Sequence, residues 1–298
     1  MKTLMKQTGI NFNEHFNTDY EQLDVSYQSD SQSLWFYMHA SPRPCFSPKL
    51  LSEMQDLFGQ ISAFPGKNHP VQYLIAASNV PGVYNLGGDL SKFKQFIADG
   101  DKEKLRAYAY QCLDMGFECS RHFNHGITTI SLIQGSALGG GFEAALSCNV
   151  IVAEKSVQMG FPEILFNLFP GMGAYSYLSR RVHPSIAEKM ISSGRMYTGE
   201  ELHEMGIVDV LAEDGEGEAA VTEYIKRHSS QRTSRLAMQQ AYMHVNPVSL
   251  AEMRAISDIW VDTAIELDER SLRIMERLVR AQGKKMDKQV SDSETQVA

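Results

Sequence analysis

The chain has 298 residues, of which 43% are apolar, and a formal net charge of −8 at pH 7. The apolar fraction is ample for a globular core, and the acidic balance argues against nucleic-acid binding, which needs a basic face. No stretch approaches the roughly 20 apolar residues of a membrane span, and the first residues lack the apolar core of a signal peptide. We therefore expect a cytoplasmic protein without a membrane span.

Short β-rich runs alternate with helical patterns over the first two thirds of the sequence, which predicts an α/β fold. The predicted strands are 33–39, 71–77, 127–134, 149–154 and 206–212. The predicted helices are 47–60, 101–123, 141–148, 185–193 and 198–205. Thr198 followed by Glu201 fits a capping box at the last of these helices.

After about residue 215 the pattern becomes helical, over 217–229, 231–244 and a long segment from Ser249, where Ser249 and Glu252 suggest a second capping box. We predict three regions on this basis. They are a core with an N-terminal extension (1–215), a helical oligomerisation region (216–282) and a disordered polar tail (283–298).

An apolar stripe in the last helical region follows helical spacing and includes Leu250, Met253, Ile256, Trp260 and Ala264. One interpretation is a helix packed on its own domain, and the other is a helix that also packs on a neighbouring subunit.

Three glycines, Gly139, Gly140 and Gly141, stand between a predicted strand and a predicted helix. The amides at a helix start have no partner within the helix, and together with the helix dipole they stabilise a developing negative charge. A side chain here would keep a substrate carbonyl away from the backbone. The alternative is that these glycines only permit close helix packing.

A second glycine turn, Asn85–Asp89, follows another predicted strand and could supply a second amide to the same oxygen. Glu143 and Glu163 each lie among apolar residues, where desolvation raises the pKa of a carboxyl group. Capping explains a single such acid, whereas two acids beside two glycine turns favour an acid–base pair.

The four cysteines include no CxxC pair, so they predict reduced thiols and not a zinc site or a disulfide framework. Cys148 fits a buried structural thiol better than a nucleophile. His122 and His125 are three residues apart, but no third ligand accompanies them, so no metal is predicted.

Three strings carry a resemblance to the crotonase, or enoyl-CoA hydratase/isomerase, superfamily over residues 70–212. They are GSALGGGFEAALSCNVIVAE, MGFPEILFNLFPGMGAYSYLSRRV and AEKMISSGRMYTGEELHEMGIVDVL. The resemblance implies a spiral of ββα units followed by helices that form a homotrimer or a dimer of trimers.

Carried over by position, the resemblance makes Gly88 and Gly140 the two amides of an oxyanion hole and Glu143 and Glu163 the catalytic acids. It implies that Glu163 takes the C2 proton of the substrate and that Glu143 protonates the departing 3-hydroxyl. Asp89 is expected to order its loop. The expected substrate-binding residues are Leu86, Gly87, Phe166, Met172 and Tyr175.

Other segments, among them RPCF at 43–46, NLGGDL and IWVDTAIEL, look most similar to synthases of diffusible signal factor, the cis-2-unsaturated fatty acids of bacterial signalling. That similarity implies dehydration of a 3-hydroxyacyl group on acyl carrier protein followed by thioester hydrolysis. It implies no cofactor beyond the phosphopantetheine or CoA that carries the substrate, and it adds the receiver region of a sensor kinase as a partner. The alternatives are an enoyl-CoA hydratase of fatty-acid metabolism and a non-catalytic regulatory protein.

Overall fold

The computed structural model describes residues 15–16, 18–64 and 69–278 of the chain. Its strands are β1 (Leu23–Gln28), β2 (Ser33–Met38), β3 (Tyr73–Ser78), β4 (Val83–Asn85), β5 (Thr128–Ile133), β6 (Ser136–Leu138), β7 (Val150–Glu154), β8 (Gln158–Gly160), β9 (Met196–Thr198) and β10 (Val210–Ala212). Its helices are α1 (Pro48–Ser62), α2 (Leu90–Ala98), α3 (Lys102–Ser120), α4 (Gly140–Ser147), α5 (Ala174–Leu178), α6 (Pro184–Ser193), α7 (Gly199–Glu204), α8 (Gly217–His228), α9 (Arg232–Val245) and α10 (Leu250–Ile265). Residues 269–278 form a further helical segment.

The strands form two sheets, and the chain alternates between them. The large sheet has the order β1-β2-β3-β5-β7-β10, and the small one has the order β4-β6-β8-β9. From β3 to β8 each strand of the large sheet is followed by a strand of the small sheet. This repeat of two strands and a helical connection is the ββα spiral that the sequence predicted.

The large sheet is parallel except at β1, and it is covered on both faces, which explains its nearly continuous apolar strands. Every residue of β5 is buried. On one face Ile75, Ile130 and Val152 pack against Val221 and Ile225 of α8. The other face packs into the main core with α1 and α3, and α4 lies in that core beside the small sheet.

The predicted strands and helices are all confirmed, with ends that differ by a few residues. The strand β1, which starts at Leu23 and pairs antiparallel with β2, was not predicted. Its sequence, LDVSYQ, is half polar because it is an edge strand. The three-residue strands β4, β6, β8 and β9 and the five-residue helix α5 were also missed, since so few residues carry no period. The nine-residue helix α2 was missed as well.

The last helices pack on the core of the same chain. α10 lies against α3 with Met253, Trp260 and Ala264 buried, so the helix packs on its own domain, as both interpretations of the apolar stripe require. A further contact with a neighbouring subunit stays a prediction. Ser249 caps α10, but the Glu252 carboxylate binds Arg180 instead of returning to Ser249, so the second predicted capping box is wrong. The box at Thr198 and Glu201 is confirmed.

The predicted polar tail, 283–298, lies outside the described residues, and the division into three regions stays a prediction. None of the helices described is long and apolar enough to cross a membrane.

Candidate active site

The start of α4 and the turn after β4 bring two backbone amides together. A Cβ atom placed on Gly140 would lie 3.3 Å from the Gly88 amide nitrogen. Within the described part of the chain, neither the Gly88 nor the Gly140 amide donates to a protein acceptor. Two free, adjacent amides are what an oxyanion hole requires, and the assignment of Gly88 and Gly140 to that role stays a prediction.

The close approach of these two turns depends on residues without side chains. Gly87 has φ +88°, and a Cβ atom there would lie 2.8 Å from the Gly140 nitrogen. A Cβ atom on Gly141 would lie 2.0 Å from the Asn85 carbonyl oxygen. The Asn85 side chain holds the turn by accepting the Gly87 amide at 2.8 Å. Three consecutive glycines are therefore needed for the backbone approach itself.

Glu143 is buried in the first turn of α4, with only 2% of its surface exposed. Its Oε1 atom accepts the amides of Met172 at 2.8 Å and Ala174 at 2.9 Å. Burial raises the pKa of Glu143 to about 7, although the two amides favour the ionised form. The raised pKa expected for this carboxyl group is confirmed.

Glu163 lies in a 3₁₀ turn, Pro162–Phe166, opposite the start of α4. A Cβ atom on Gly139 would stand only 2.3 Å from its Oε1 atom, so the carboxyl group lies directly against that backbone. Its Oε2 atom is shielded from solvent and has no hydrogen-bond partner. Burial, followed by the charge of Glu143, raises the pKa of Glu163 to about 8.

The two carboxyl groups differ in how the protein holds them. Glu143 receives two amide hydrogen bonds, whereas Glu163 has an oxygen atom without any. The ionised form is therefore favoured at Glu143 and the neutral form at Glu163. Burial thus raises the pKa of both carboxyl groups, and the charge of Glu143 raises that of Glu163 further.

Both carboxyl groups and both amides line one cavity of about 550 Å³, which we call the catalytic cavity. Apolar side chains complete its wall, among them Phe93, Phe166, Trp260 and Leu278. The unsatisfied Glu163 oxygen therefore lies beside a space that a polar substrate atom can enter.

A second cavity of about 600 Å³, the inner cavity, shares Gly140, Glu143 and Met172 with the catalytic cavity. It extends between α3 and α4 toward Cys119 and Cys148, and its lining is almost entirely apolar side chains and thiols. A ligand with a polar head at Gly140 and an apolar tail fits the two cavities together.

The predicted substrate-binding residues fall into two groups. Leu86, Phe166 and Met172 line the catalytic cavity. Gly87 and Tyr175 are not among the described residues that line either cavity: Gly87 supports the turn, and Tyr175 packs against Phe169 with ring centroids 6.3 Å apart.

Asp89 caps α2 and binds Arg43 at 2.8 Å, which confirms the predicted loop-ordering role. Arg180 and Arg181 lie at the other end of α4. Arg180 binds Glu252, and Arg181 binds the Cys148 carbonyl oxygen and Asp209.

His122 and His125 do not face each other as a metal pair. The His122 Nδ1 atom lies 3.1 Å from the Ile127 carbonyl oxygen, and His125 stacks on His69. Cys148 is buried at the end of α4, where it lines the inner cavity.

Sequence reasoning missed the residues that reach the cavities from distant segments. Phe93, Trp260 and Leu278 line the catalytic cavity, and Met115 and Gly116 of α3 line the inner one. For Gly116 the sequence did offer a signal, because a glycine in the middle of a long helix destabilises that helix and so suggests another role.

Two free amides and two carboxyl groups thus lie around one cavity, an arrangement that suits the binding of a carbonyl oxygen and proton transfer beside it. A sequence profile of the Enoyl-CoA hydratase/isomerase family matches residues 38–271, and the chain belongs to this family. Enzymes of this family generally need neither a metal ion nor a redox cofactor.

Two curated relatives give the extent of the sequence similarity. The mitochondrial methylglutaconyl-CoA hydratase of Homo sapiens is 33% identical over 154 residues, which are 50% of this chain and 42% of that protein. A probable enoyl-CoA hydratase of Bacillus subtilis is 26% identical over 189 residues, 63% of this chain and 68% of that one. The chain thus spans less than half the length of the human relative.

Solved structures share the fold at low sequence identity. Human mitochondrial delta3-delta2-enoyl-CoA isomerase superposes with a TM-score of 0.72 at 15% identity, covering 89% of this chain and 100% of that one. Pseudomonas aeruginosa DspI superposes with a TM-score of 0.61 at 23% identity, covering 90% of this chain and 96% of that one.

Proposed function

We propose that the protein dehydrates 3-hydroxyacyl thioesters carried on acyl carrier protein and then hydrolyses the thioester, releasing a cis-2-unsaturated fatty acid that serves as a signal. The observation that carries this proposal is the pair of buried carboxyl groups, Glu143 and Glu163, beside the free amides of Gly88 and Gly140. An apolar inner cavity for the acyl chain adjoins them.

In the dehydration, the thioester oxygen binds the two amides, which lowers the energy of an enolate. Ionised Glu163 takes the C2 proton, the C3–O bond breaks, and Glu143 gives its proton to the departing hydroxyl group. The products are water and a 2-enoyl thioester. The pair then carries its one proton on Glu163.

In the hydrolysis, water loses a proton to ionised Glu143 and attacks the thioester carbonyl carbon. The tetrahedral oxyanion rests on the same two amides. It collapses with cleavage of the C–S bond, and the leaving thiolate takes the proton from Glu163, which leaves Glu143 protonated and Glu163 ionised for the next dehydration. The free acid leaves, so this second step makes the sequence irreversible.

The hydrogen bonds that Glu143 accepts in the free protein favour a second candidate, a conventional enoyl-CoA hydratase. With the proton on Glu163 and the charge on Glu143, the free protein is already set for water addition, in which Glu143 activates water and Glu163 protonates C2. Dehydration starts from the opposite distribution, with the proton on Glu143.

The deciding experiment incubates the purified protein with 3-hydroxydodecanoyl-acyl carrier protein and, separately, with the matching CoA thioester. Free fatty acids are followed by mass spectrometry, with Glu143→Ala and Glu163→Ala as matched variants. We expect a cis-2-enoic acid from the carrier protein substrate and none from either variant.

Reversible hydration of enoyl-CoA without acid release would identify the second candidate. Full activity of the folded Glu163→Ala variant would contradict both schemes.

A further inference from the structure

The inner cavity follows α4 from one end to the other. It begins at Gly140, where the carbonyl group would bind, and ends at Ser147 and Cys148. With a rise of about 1.5 Å per residue, this path is about 12 Å long and matches a straight chain of roughly ten carbons.

The far end of this path is closed by a thin partition. Ser147 and Cys148 line the inner cavity and also a larger space of about 1090 Å³ behind it, which we call the rear cavity. Tyr177 lines the rear cavity. The end of the inner cavity is therefore a wall between two spaces and not solid core.

Gly116 faces this partition from α3. A Cβ atom there would lie 3.2 Å from the Tyr177 hydroxyl oxygen and 3.4 Å from the Ser147 Cβ atom. The residue stands inside a 19-residue helix with ordinary helical backbone angles. Glycine is disfavoured relative to alanine at such a position, and here it allows α3 to lie close to Ser147 and Tyr177 at the lining of the inner cavity.

We propose that Gly116 and the wall of Ser147 and Cys148 set the length of the acyl chain, so that the protein selects straight, medium-length acyl groups. This inference rests on the proposed function, because it takes the inner cavity as the acyl site. A methyl group at Gly116 shortens the cavity from one side. Removal of the Cys148 thiol opens the inner cavity toward the rear cavity on the other side.

The test measures binding of saturated 2-oxoalkyl-CoA thioethers, with chains that match butanoyl to hexadecanoyl, by titration calorimetry. These analogues keep the carbonyl group but have no thioester bond to hydrolyse, so this readout does not depend on the chemistry. We expect the wild-type protein to bind medium-length chains best. Gly116→Ala should shift the optimum to shorter chains and weaken binding of the original optimum about tenfold, the effect of a misplaced methylene group in an apolar pocket.

Cys148→Ala should shift the optimum in the opposite direction, toward longer chains. The matched control is Gly59→Ala, since Gly59 also lies inside a helix, is exposed and has nothing within 4 Å of its Cβ position. That variant gains the same helix propensity and should keep the wild-type profile.

An unchanged profile in Gly116→Ala and Cys148→Ala, or no binding of any chain by the wild-type protein, would overturn the inference. If the two variants shift the optimal chain length in opposite directions but the protein releases no fatty acid, the chain-length inference is supported and the proposed reaction is rejected. Failure of the inference can therefore be told apart from failure of the proposed function.

Discussion

Glu143 and Glu163 share one proton because each is buried and each raises the cost of ionising the other. Their pKa values are raised to about 7 and about 8, and these values belong to the pair as a whole. Below this window both groups are protonated and no base remains, whereas above it both are ionised and no acid remains.

We therefore predict a bell-shaped pH dependence of kcat/KM, with its maximum between about pH 7 and pH 8. On either side kcat/KM should fall by about tenfold per pH unit. The measurement is kcat/KM for the thioester substrate from pH 5 to pH 10. Glu200→Gln, which removes an exposed carboxylate, serves as the control. A flat profile across the neutral range would rule out a single shared proton.

Residue by residue, the sequence predicted well where local neighbours determine the outcome. Short motifs placed both acids and both glycine turns beside one cavity and gave the capping role of Asp89, while the catalytic roles stay predictions. The unequal hydrogen bonding of the two acids was not predicted, because Met172 and Ala174 are 29 and 31 residues away from Glu143. Their contribution is a backbone amide, which every residue type except proline supplies.

At the scale of elements, α4 is fixed by its contact with the end of β4. The contact at Gly141 leaves no room for a side chain, since the opposing atom is the backbone oxygen of Asn85 at 2.0 Å from the Cβ position. Neither partner can yield by turning a side chain.

Gly141→Ala should for this reason destabilise the protein by about 2 kcal/mol or more, seen as a lower midpoint in urea unfolding. In Gly59→Ala the same substitution meets open space and should raise the free energy of unfolding by up to about 1 kcal/mol. Equal stability of the two variants would show that α4 moves freely against β4.

Long elements were predicted because they repeat a period over many residues, as α3 and the buried strands do. The short strands β4, β6, β8 and β9 were not, although three of them carry the turns of the site. Their partners are not their neighbours in sequence: β6 pairs with β4 and β8, and the large-sheet strands β5 and β7 separate these three along the chain.

At the scale of the whole molecule, the end of the described chain returns to the site built near its middle. Residues 269–278 bring Leu278 into the wall of the catalytic cavity and bury Met275. Glu276 pairs with Lys94 of α2, the helix that follows Gly88. The segment thus links the last part of the described chain to the oxyanion turn.

A chain ending at residue 268 should lose at least tenfold in kcat/KM, because water gains access to the catalytic cavity and weakens its electrostatics. The control is a chain ending at residue 278, which keeps the segment. Kinetics with the same thioester and the fluorescence of Trp260 in both proteins measure the effect. Equal kcat/KM values would show that the segment does not close the site.

Much of this site is built from backbone groups: the amides of Gly88 and Gly140 lie at the catalytic cavity, and those of Met172 and Ala174 hold Glu143. Backbone groups persist when a side chain is replaced. Met172 can therefore change identity in evolution, reshaping both cavities it borders while its amide still holds the acid. Substitutions of the residues that line the cavities can therefore change the substrate while the acid–base pair stays in place.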